Sequence, residues 1–187
     1  MPFSRPTVSA ALEAGKEVRY AAVALPVFPK AGEWQIALMK RTEYPGVHSG
    51  QISIPGGEVE AGDIDLTFTA CREFREEMGV TLPPDSIISG LSDRYIPPSQ
   101  FAVTTFIAVL EAEPCWNVDA DEVANVLVMP ISQLLHSNAL VSTAIQVQKG
   151  VRVDLPAYHY ADEVIWGATA IILTEFAFAW RALLHMD

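Results

Sequence analysis

The sequence predicts an α/β fold in which helices cover both faces of a mixed β-sheet. Apolar segments of strand length recur along the chain, and two segments of helical character stand among them, residues 65–78 and 168–185. A short apolar strand, residues 51–54, leads into the first of these helices. Strands interleaved with helices in this order favour an α/β/α sandwich.

Turn residues separate the other strands. Pro29-Lys30-Ala31-Gly32 lies between apolar segments at 20–28 and 34–40, which predicts a β-hairpin. Lys149-Gly150 separates residues 141–148 from 151–156 and predicts a second hairpin. The remaining predicted elements are strands at residues 87–94, 103–110 and 123–129 and a short helix at residues 131–135.

Length and composition indicate one domain, residues 1–187, with residues 1–19 as an N-terminal extension. Half of the residues are hydrophobic, which is enough to build a core. The formal net charge of −11 argues against a nucleic-acid-binding surface, because such a surface needs basic patches. We therefore expect no nucleic-acid partner.

The cysteines and the apolar segments indicate the compartment. Cys71 and Cys115 give no disulfide framework, and the N-terminus lacks the apolar run of a signal peptide. The last apolar segment is interrupted by Glu175 and Arg181, so we interpret it as a buried amphipathic helix and not as a membrane span. We expect a cytoplasmic protein with no membrane partner.

The helix at residues 65–78 concentrates negative charge. Glu73 and Glu77 lie one turn apart on the same face, and Glu76 lies beside them. Like charges at such spacings cost an isolated helix roughly 0.2–0.5 kcal/mol per pair. Mg²⁺, which binds carboxylates together with substrate phosphates, would offset that cost. The alternative is a solvated acidic face with ion pairs such as Arg72 to Glu76.

The opposite side of this helix is apolar. Leu66, Ala70, Phe74 and Met78 recur every four residues, as in a helix that packs on a sheet. Gly79 follows directly and is suited to end the helix. We therefore expect the glutamates at the edge of a packed face.

The segment from Arg72 to Gly79, together with the Pro55-Gly56-Gly57 turn ahead of it, resembles the signature of the Nudix hydrolases. The second half of that signature matches at every position. The spacing from Gly57 to Arg72 is one residue longer than the family usually has, and Asp63 is the acid nearest to the loop position where the family carries a glutamate. The coenzyme A pyrophosphatase branch of the family has the same lengthened loop.

Further segments resemble that branch, and together they extend the resemblance over about residues 22–176. They are Lys40-Arg41-Thr42, His48-Ser49-Gly50-Gln51, and residues 95–104, 122–126 and 165–170. Two departures stand out. The branch carries Leu-Arg shortly before the histidine, where this chain has Tyr44-Pro45-Gly46, and Gln100 replaces a glycine in a later loop.

The resemblance implies a role for each candidate residue. Glu73, Glu77 and Glu76 would hold Mg²⁺ or Mn²⁺, with a carbonyl ligand from Gly57. Glu76 would share a second ion or take a proton from water, Glu122 would be a further metal ligand or a base, and Arg72 would orient the glutamates through ion pairs. The candidates for the substrate site and its supporting turn are Arg41, His48, Gly56, Ser99 and Phe101. For Arg41, His48 and Glu122 an ordinary role as a surface or loop residue stays open.

The resemblance implies an enzyme that hydrolyses the diphosphate linkage of coenzyme A or its derivatives. The products would be 4′-phosphopantetheine and adenosine 3′,5′-bisphosphate, and a homodimer is implied as the assembly. The missing Leu-Arg keeps a second substrate class open, a nucleotide sugar or a dinucleotide. A non-catalytic, ligand-sensing Nudix domain is the third alternative, and the presence of all three helix glutamates argues against it.

Overall fold

The computed structural model describes residues 6–46, 48–83, 85–148 and 150–184. In chain order its elements are α1 (Val8–Glu13), β1 (Arg19–Lys30), β2 (Glu33–Arg41), β3 (Ile52–Ser53), β4 (Gly56–Glu58), α2 (Leu66–Met78), β5 (Ile87–Gly90), β6 (Arg94–Ile96), β7 (Phe101–Val109), β8 (Val123–Pro130), α3 (Ser132–Leu135), β9 (Leu140–Gln148), β10 (Val151–Tyr160), β11 (Glu163–Ile165) and α4 (Gly167–Leu184).

The main sheet has eight strands and mixed direction. Its central path runs β3-β2-β1-β7-β5, while β4 pairs with β1, β6 with β7 and β8 with β2. Strands β1 and β7 are parallel over nine residue pairs, and the other pairings in this sheet are antiparallel. Strands β9, β10 and β11 form a separate three-stranded sheet.

Helices α2 and α4 cover opposite faces of the main sheet, each over its own apolar cluster. Ala70, Phe74 and Met78 of α2 are fully buried against side chains of β1 and β2. Ile172 and Phe176 of α4 are buried in the other cluster. The predicted α/β/α sandwich with a mixed sheet is therefore confirmed.

Both ends of α2 are set by local chemistry. The side chain of Asp65 accepts a hydrogen bond from the Phe68 N–H at 2.7 Å and so caps the first turn. Gly79 takes a left-handed conformation with a φ of 67° and ends the helix with a bond from its N–H to the Arg75 carbonyl. The predicted apolar face and the predicted stop at Gly79 are both confirmed.

Helix α4 begins one residue before its predicted start. The residue predicted to end it, His185, lies outside the described part of the chain.

Within the described residues, α4 is the one helix whose length and composition would suffice to cross a membrane. It packs one face on the sheet through Leu173 and Phe176, while Phe178 on another side is 75% exposed.

The prediction of one strand over residues 87–94 is wrong. The structure has two strands there, β5 and β6, and both pair with β7. Ser92 lies between them, and its backbone N–H and its hydroxyl both donate to the carboxylate of Glu175 in α4. Because those donors are used outside the sheet, the hydrogen-bonding ladder is interrupted.

Three short elements are absent from the sequence-based prediction: α1, β4 and β11. Strand β4 contains two glycines, which have low strand propensity, and tertiary pairing with β1 decides its conformation.

The first predicted hairpin is confirmed by β1 and β2. The second is confirmed by β9 and β10, although its turn residue Lys149 lies outside the described residues.

Candidate active site

Helix α2 presents its three glutamates with graded burial. The side chain of Glu77 is 2% exposed, that of Glu73 is 16% exposed and that of Glu76 is 49% exposed. At about 100° per residue, Glu77, Glu73 and Glu76 lie at increasing angles around the helix from the packed face of Phe74, so the gradient follows from helical geometry. The interpretation as a fully solvated acidic face fails at Glu77, whose carboxylate is buried.

The carboxylate of Glu77 has two different partners. Its Oε2 accepts a hydrogen bond from the Gly56 N–H at 2.7 Å, and its Oε1 lies 3.6 Å from Nη1 of Arg41. Burial raises the pKa of Glu77 to about 8. The charge of Arg41 and the hydrogen bond from the Gly56 amide lower this pKa, whereas the charges of Glu73 and Glu122 raise it further.

The Gly56-Gly57 turn must approach the helix without side chains. A Cβ on Gly56, where φ is 144°, would lie 2.3 Å from the carbonyl oxygen of Ala22. A Cβ on Gly57 would lie 2.4 Å from the carboxylate carbon of Glu73. Only glycine suits position 56, and a side chain at position 57 would displace the Glu73 carboxylate, so the backbone of the turn lies directly against the carboxylates.

Arg72 organises the other two glutamates. Its Nη1 donates to Glu73 at 2.8 Å and to Glu76 at 2.9 Å, and its Nη2 donates to the Glu58 carbonyl at 3.0 Å. The guanidinium is 12% exposed. Arg72 is therefore bonded to both carboxylates, and its role in orienting them for a cation stays a prediction.

Asp63 anchors Arg72 from the loop. Its two carboxylate oxygens accept from Nε and Nη2 of Arg72, each at 3.0 Å, in the bidentate geometry that arginine favours. The hydroxyl of Thr69 and the N–H of Glu60 also donate to it. These bonds, that of Arg72 first, hold the pKa of Asp63 well below its usual value.

Asp63 borders the candidate site through Arg72, although the sequence analysis assigned it no role there. Its side chain is 2% exposed and pairs with Arg72, whereas the sequence indicated only that it is the acid nearest to the loop position of the family's glutamate. It lies nine residues before Arg72 in sequence, and the loop brings the two side chains together. A search for any acid in this loop that can pair with Arg72 would have found it.

Glu122 lies immediately before β8 and is exposed. Its carbonyl accepts a hydrogen bond from the Thr42 N–H at 3.0 Å, which fixes its backbone beside the end of β2. Its charge contributes to the raised pKa values of both Glu73 and Glu77. Glu122 is therefore part of the same electrostatic cluster.

Arg41 and His48 belong to the edge of this cluster. Arg41 ends β2, is 25% exposed and faces Glu77, so it is not a simple surface charge. His48 has a φ of 70°, and its Nδ1 lies 3.2 Å from Oε1 of Gln51. That contact joins the imidazole to a side chain of its own loop, and a contact of His48 with substrate stays a prediction.

Phe101 is connected to the glycine turn indirectly, whereas Ser99 bonds within its own loop. The Arg19 guanidinium lies 4.4 Å from the ring centre of Phe101 and forms an ion pair with Glu58, which follows the turn. The Ser99 hydroxyl donates to the Ile96 carbonyl at 3.5 Å. Among the described residues, the contacts of Ser99 and Phe101 do not extend to the α2 glutamates.

The donor set fits a hard divalent cation. The carboxylates of Glu73, Glu77, Glu76 and Glu122 provide oxygen donors, the type that Mg²⁺ and Mn²⁺ prefer. Burial raises the pKa of Glu73 as well, and the charges of Glu76 and Glu122 add to the increase. A bound cation would relieve this concentration of negative charge. That these residues and the Gly57 carbonyl hold a cation stays a prediction.

In the described part of the chain, no three acidic, histidine or cysteine side chains are gathered as a ready metal site. The contacts above explain why. Glu73 and Glu76 point to Arg72, while Glu77 is divided between Gly56 and Arg41. The arginines and the turn amide thus hold the carboxylates in place.

Fold and site together define an α/β/α protein with a carboxylate-bearing helix against a glycine turn. A family model described as the NUDIX domain matches residues 18–147, more than half of the chain. The chain belongs to the Nudix family of pyrophosphohydrolases, which act on small diphosphate compounds and generally require divalent metal ions.

Two relatives show how far the sequence similarity extends. The human mitochondrial coenzyme A diphosphatase NUDT8 is 31% identical over 140 residues, which cover 74% of this chain and 59% of the human protein. The uncharacterized Nudix hydrolase NudL of Citrobacter koseri is 33% identical over 162 residues, covering 85% of this chain and 81% of that protein. The chain thus spans less than two thirds of the length of the human relative.

Solved structures establish the fold independently. A MutT/nudix family protein from Enterococcus faecalis superposes with a TM-score of 0.63 at 16% identity and covers 96% of this chain and 72% of that one. A C. elegans Ap4A hydrolase in a binary complex gives a TM-score of 0.55 at 16% identity, covering 88% and 98%. At these identities the likeness concerns architecture and not substrate.

Proposed function

We propose that this protein hydrolyses the diphosphate linkage of coenzyme A or its derivatives to 4′-phosphopantetheine and adenosine 3′,5′-bisphosphate. The observation that carries the hydrolytic part is the buried Glu77 carboxylate held against the Gly56 amide, with Glu73 and Glu76 oriented by Arg72. The substrate is supported by the human relative, which is named a coenzyme A diphosphatase, and by the lengthened signature loop.

The glutamates carry the proposed chemistry. Glu73, Glu77 and Glu76 form the binding site for Mg²⁺ or Mn²⁺, with the Gly57 carbonyl beside them. A bound divalent cation supplies charge neutralisation of the diphosphate and acidifies water for in-line attack on phosphorus. Glu76 or Glu122 accepts the proton of that water, and the bond from phosphorus to the bridging oxygen breaks. Both acids are well exposed and so able to exchange that proton with solvent.

Four further residues contribute to substrate binding in this proposal. Arg41 supplies positive charge to the diphosphate, and His48 shapes the loop through Gln51. Ser99 and Phe101 line the more distant part of the substrate site, where Arg19 links Phe101 to Glu58. Ser99 and Phe101 lie beyond direct contact with the glutamates among the described residues, and that separation suits the extended shape of a coenzyme A molecule.

A substrate panel tests the assignment. Coenzyme A, ADP-ribose, NADH and diadenosine polyphosphates are each incubated with Mg²⁺ or Mn²⁺, and the products are separated by chromatography. We expect release of 4′-phosphopantetheine from coenzyme A. Turnover of another compound alone would contradict the substrate and keep the hydrolytic chemistry.

One observation favours a different diphosphate, a nucleotide sugar or a dinucleotide. Tyr44-Pro45-Gly46 occupies the place where the coenzyme A branch carries Leu-Arg, and no guanidinium is available there to clamp a phosphate. The same panel decides between the two. If no compound is hydrolysed but one of them binds, the result would instead support a ligand-sensing domain.

The assembly and the compartment remain proposals. We propose a cytoplasmic homodimer, and the exposed valines on the β9–β10 hairpin, Val141, Val147, Val151 and Val153, offer an apolar surface for a second copy. Light scattering of the purified protein measures the mass directly, and a monomer at micromolar concentration would contradict the dimer.

A further inference from the structure

Arg41 pairs with the buried carboxylate of Glu77 from a fixed backbone position. Its N–H donates to the Gln51 carbonyl at 3.0 Å, which ties it to the segment ahead of β3. On its other side the register with β8 shifts between Lys40 and Arg41. An irregularity of this kind re-aims a side chain at the end of a strand.

The two oxygens of Glu77 are held very differently. Oε2 accepts a short hydrogen bond of 2.7 Å from the Gly56 amide. Oε1 faces the Arg41 guanidinium at 3.6 Å, which is too long for a hydrogen bond. No hydrogen bond to Oε1 accompanies this contact among the described residues. The pair is thus held by charge alone, unlike the bidentate pair of Arg72 and Asp63 at 3.0 Å.

The partners also differ in their access to solvent. The Glu77 side chain is 2% exposed, while that of Arg41 is 25% exposed. Glu77 is also fixed by the Gly56 amide, whereas the long arginine side chain has rotatable bonds and an open side. The guanidinium can therefore withdraw from Oε1 while the carboxylate stays where it is.

We propose that, in the cation-free protein, the Arg41 guanidinium occupies the position of the divalent cation beside Oε1 of Glu77. When that cation binds, the guanidinium turns to the substrate diphosphate. The inference rests on the proposed function, because it assigns the two alternative partners of Arg41 within that site. Two cations compete for one buried oxygen, so Arg41 weakens cation binding in the absence of diphosphate. With diphosphate present the same guanidinium has an anion to bind. Cation and diphosphate therefore strengthen each other's binding, and the coupling is reciprocal.

Calorimetric titration with Mn²⁺ tests this on wild type, Arg41→Gln and Lys40→Gln. Each is titrated alone and then with methylenediphosphonate, a diphosphate analogue that cannot be hydrolysed, with free Mn²⁺ corrected for the complex that forms in solution. We expect Arg41→Gln to bind Mn²⁺ alone on the order of tenfold more tightly than wild type. We expect methylenediphosphonate to strengthen Mn²⁺ binding more in wild type than in the variant.

Lys40→Gln is the matched control. It removes the same charge from the neighbouring residue, whose ammonium pairs with Glu163 at 2.6 Å and not with Glu77. Its Mn²⁺ affinity should stay close to that of wild type. An equal increase of Mn²⁺ affinity in Arg41→Gln and Lys40→Gln would show a general effect of net charge and would overturn the proposal.

Weaker or unchanged Mn²⁺ binding in Arg41→Gln would also overturn it, because Arg41 would then merely support Glu77. Arg41→Met serves as a second neutral variant, and the rise in melting temperature on adding Mn²⁺ serves as a second readout. Both neutral variants should show a larger rise than wild type. Neither probe contains coenzyme A, so failure of coenzyme A turnover would overturn the substrate and leave this inference standing.

Discussion

At the residue scale, Glu77 dominates the charge balance of the site. Its pKa is raised from 4.5 to about 8, first by burial, so the folded protein binds more protons than the unfolded chain between those values. The stability of the metal-free protein should therefore fall as the pH rises through that window. We expect a loss on the order of 2–4 kcal/mol between about pH 5 and pH 8.

Urea unfolding in the presence of a chelator measures this dependence. Glu77→Gln should flatten the decline, because glutamine stays neutral at every pH used. Glu76→Gln is the control, since it removes a carboxylate that is half exposed, and it should keep most of the decline. Parallel curves for wild type and Glu77→Gln would contradict the assignment of a strained, buried carboxylate.

Asp63 supports a second prediction at the residue scale. Asp63→Asn removes the carboxylate that anchors Arg72, so Glu73 and Glu76 lose their orientation. We expect hydrolytic kcat/KM to fall roughly 10- to 100-fold, the usual effect of losing a residue that orients a ligand.

Glu60→Gln, in the same loop, changes the charge by the same amount. Its carboxylate is 70% exposed and 3.8 Å from Arg72, so the rate should stay within about twofold of wild type. Equal losses of kcat/KM in Asp63→Asn and Glu60→Gln would show that the rate depends on the charge of the loop and not on the bond between Asp63 and Arg72.

At the scale of the element, α2 depends on how it ends. Gly79 has a φ of 67°, and a Cβ there would lie 2.0 Å from the backbone oxygen of Asn117. Gly79→Ala would strain the backbone and push against a neighbouring chain segment. We expect it to lower the free energy of unfolding by about 1–3 kcal/mol or more.

Gly62→Ala provides the comparison, because nothing lies within 4 Å of a Cβ at that position. Its effect should stay within about 0.5 kcal/mol. Chemical denaturation of both variants measures the difference, and an unaffected Gly79→Ala would show that the helix end tolerates a side chain.

At the scale of the whole molecule, the parts predicted from sequence are those with strong local patterns. The apolar stripe of α2 fixed its buried face, and alternating strands and helices indicated the sandwich. Strand β4 was missed because its glycines favour no strand locally and pairing with β1 decides its conformation. The break between β5 and β6 was missed because it depends on Glu175, which is more than eighty residues away in sequence.

The same reasoning applies to the site. The spacing of Glu73, Glu76 and Glu77 predicted a shared location, and the structure shows it. The pairing of Arg41 with Glu77 could not be predicted, because it joins the end of β2 to a helix on one face of the sheet. Only the assembled fold brings these two charges together.

We propose above all that the α2 carboxylates perform cation-dependent hydrolysis of a diphosphate. The most direct measurement is the rate of coenzyme A hydrolysis by wild type and Glu77→Gln, side by side, over increasing Mg²⁺ concentration. We expect turnover by wild type that requires Mg²⁺, and a loss of more than roughly a hundredfold in the variant at every concentration. Equal rates for the two proteins, or turnover by wild type in the presence of excess chelator, would contradict it.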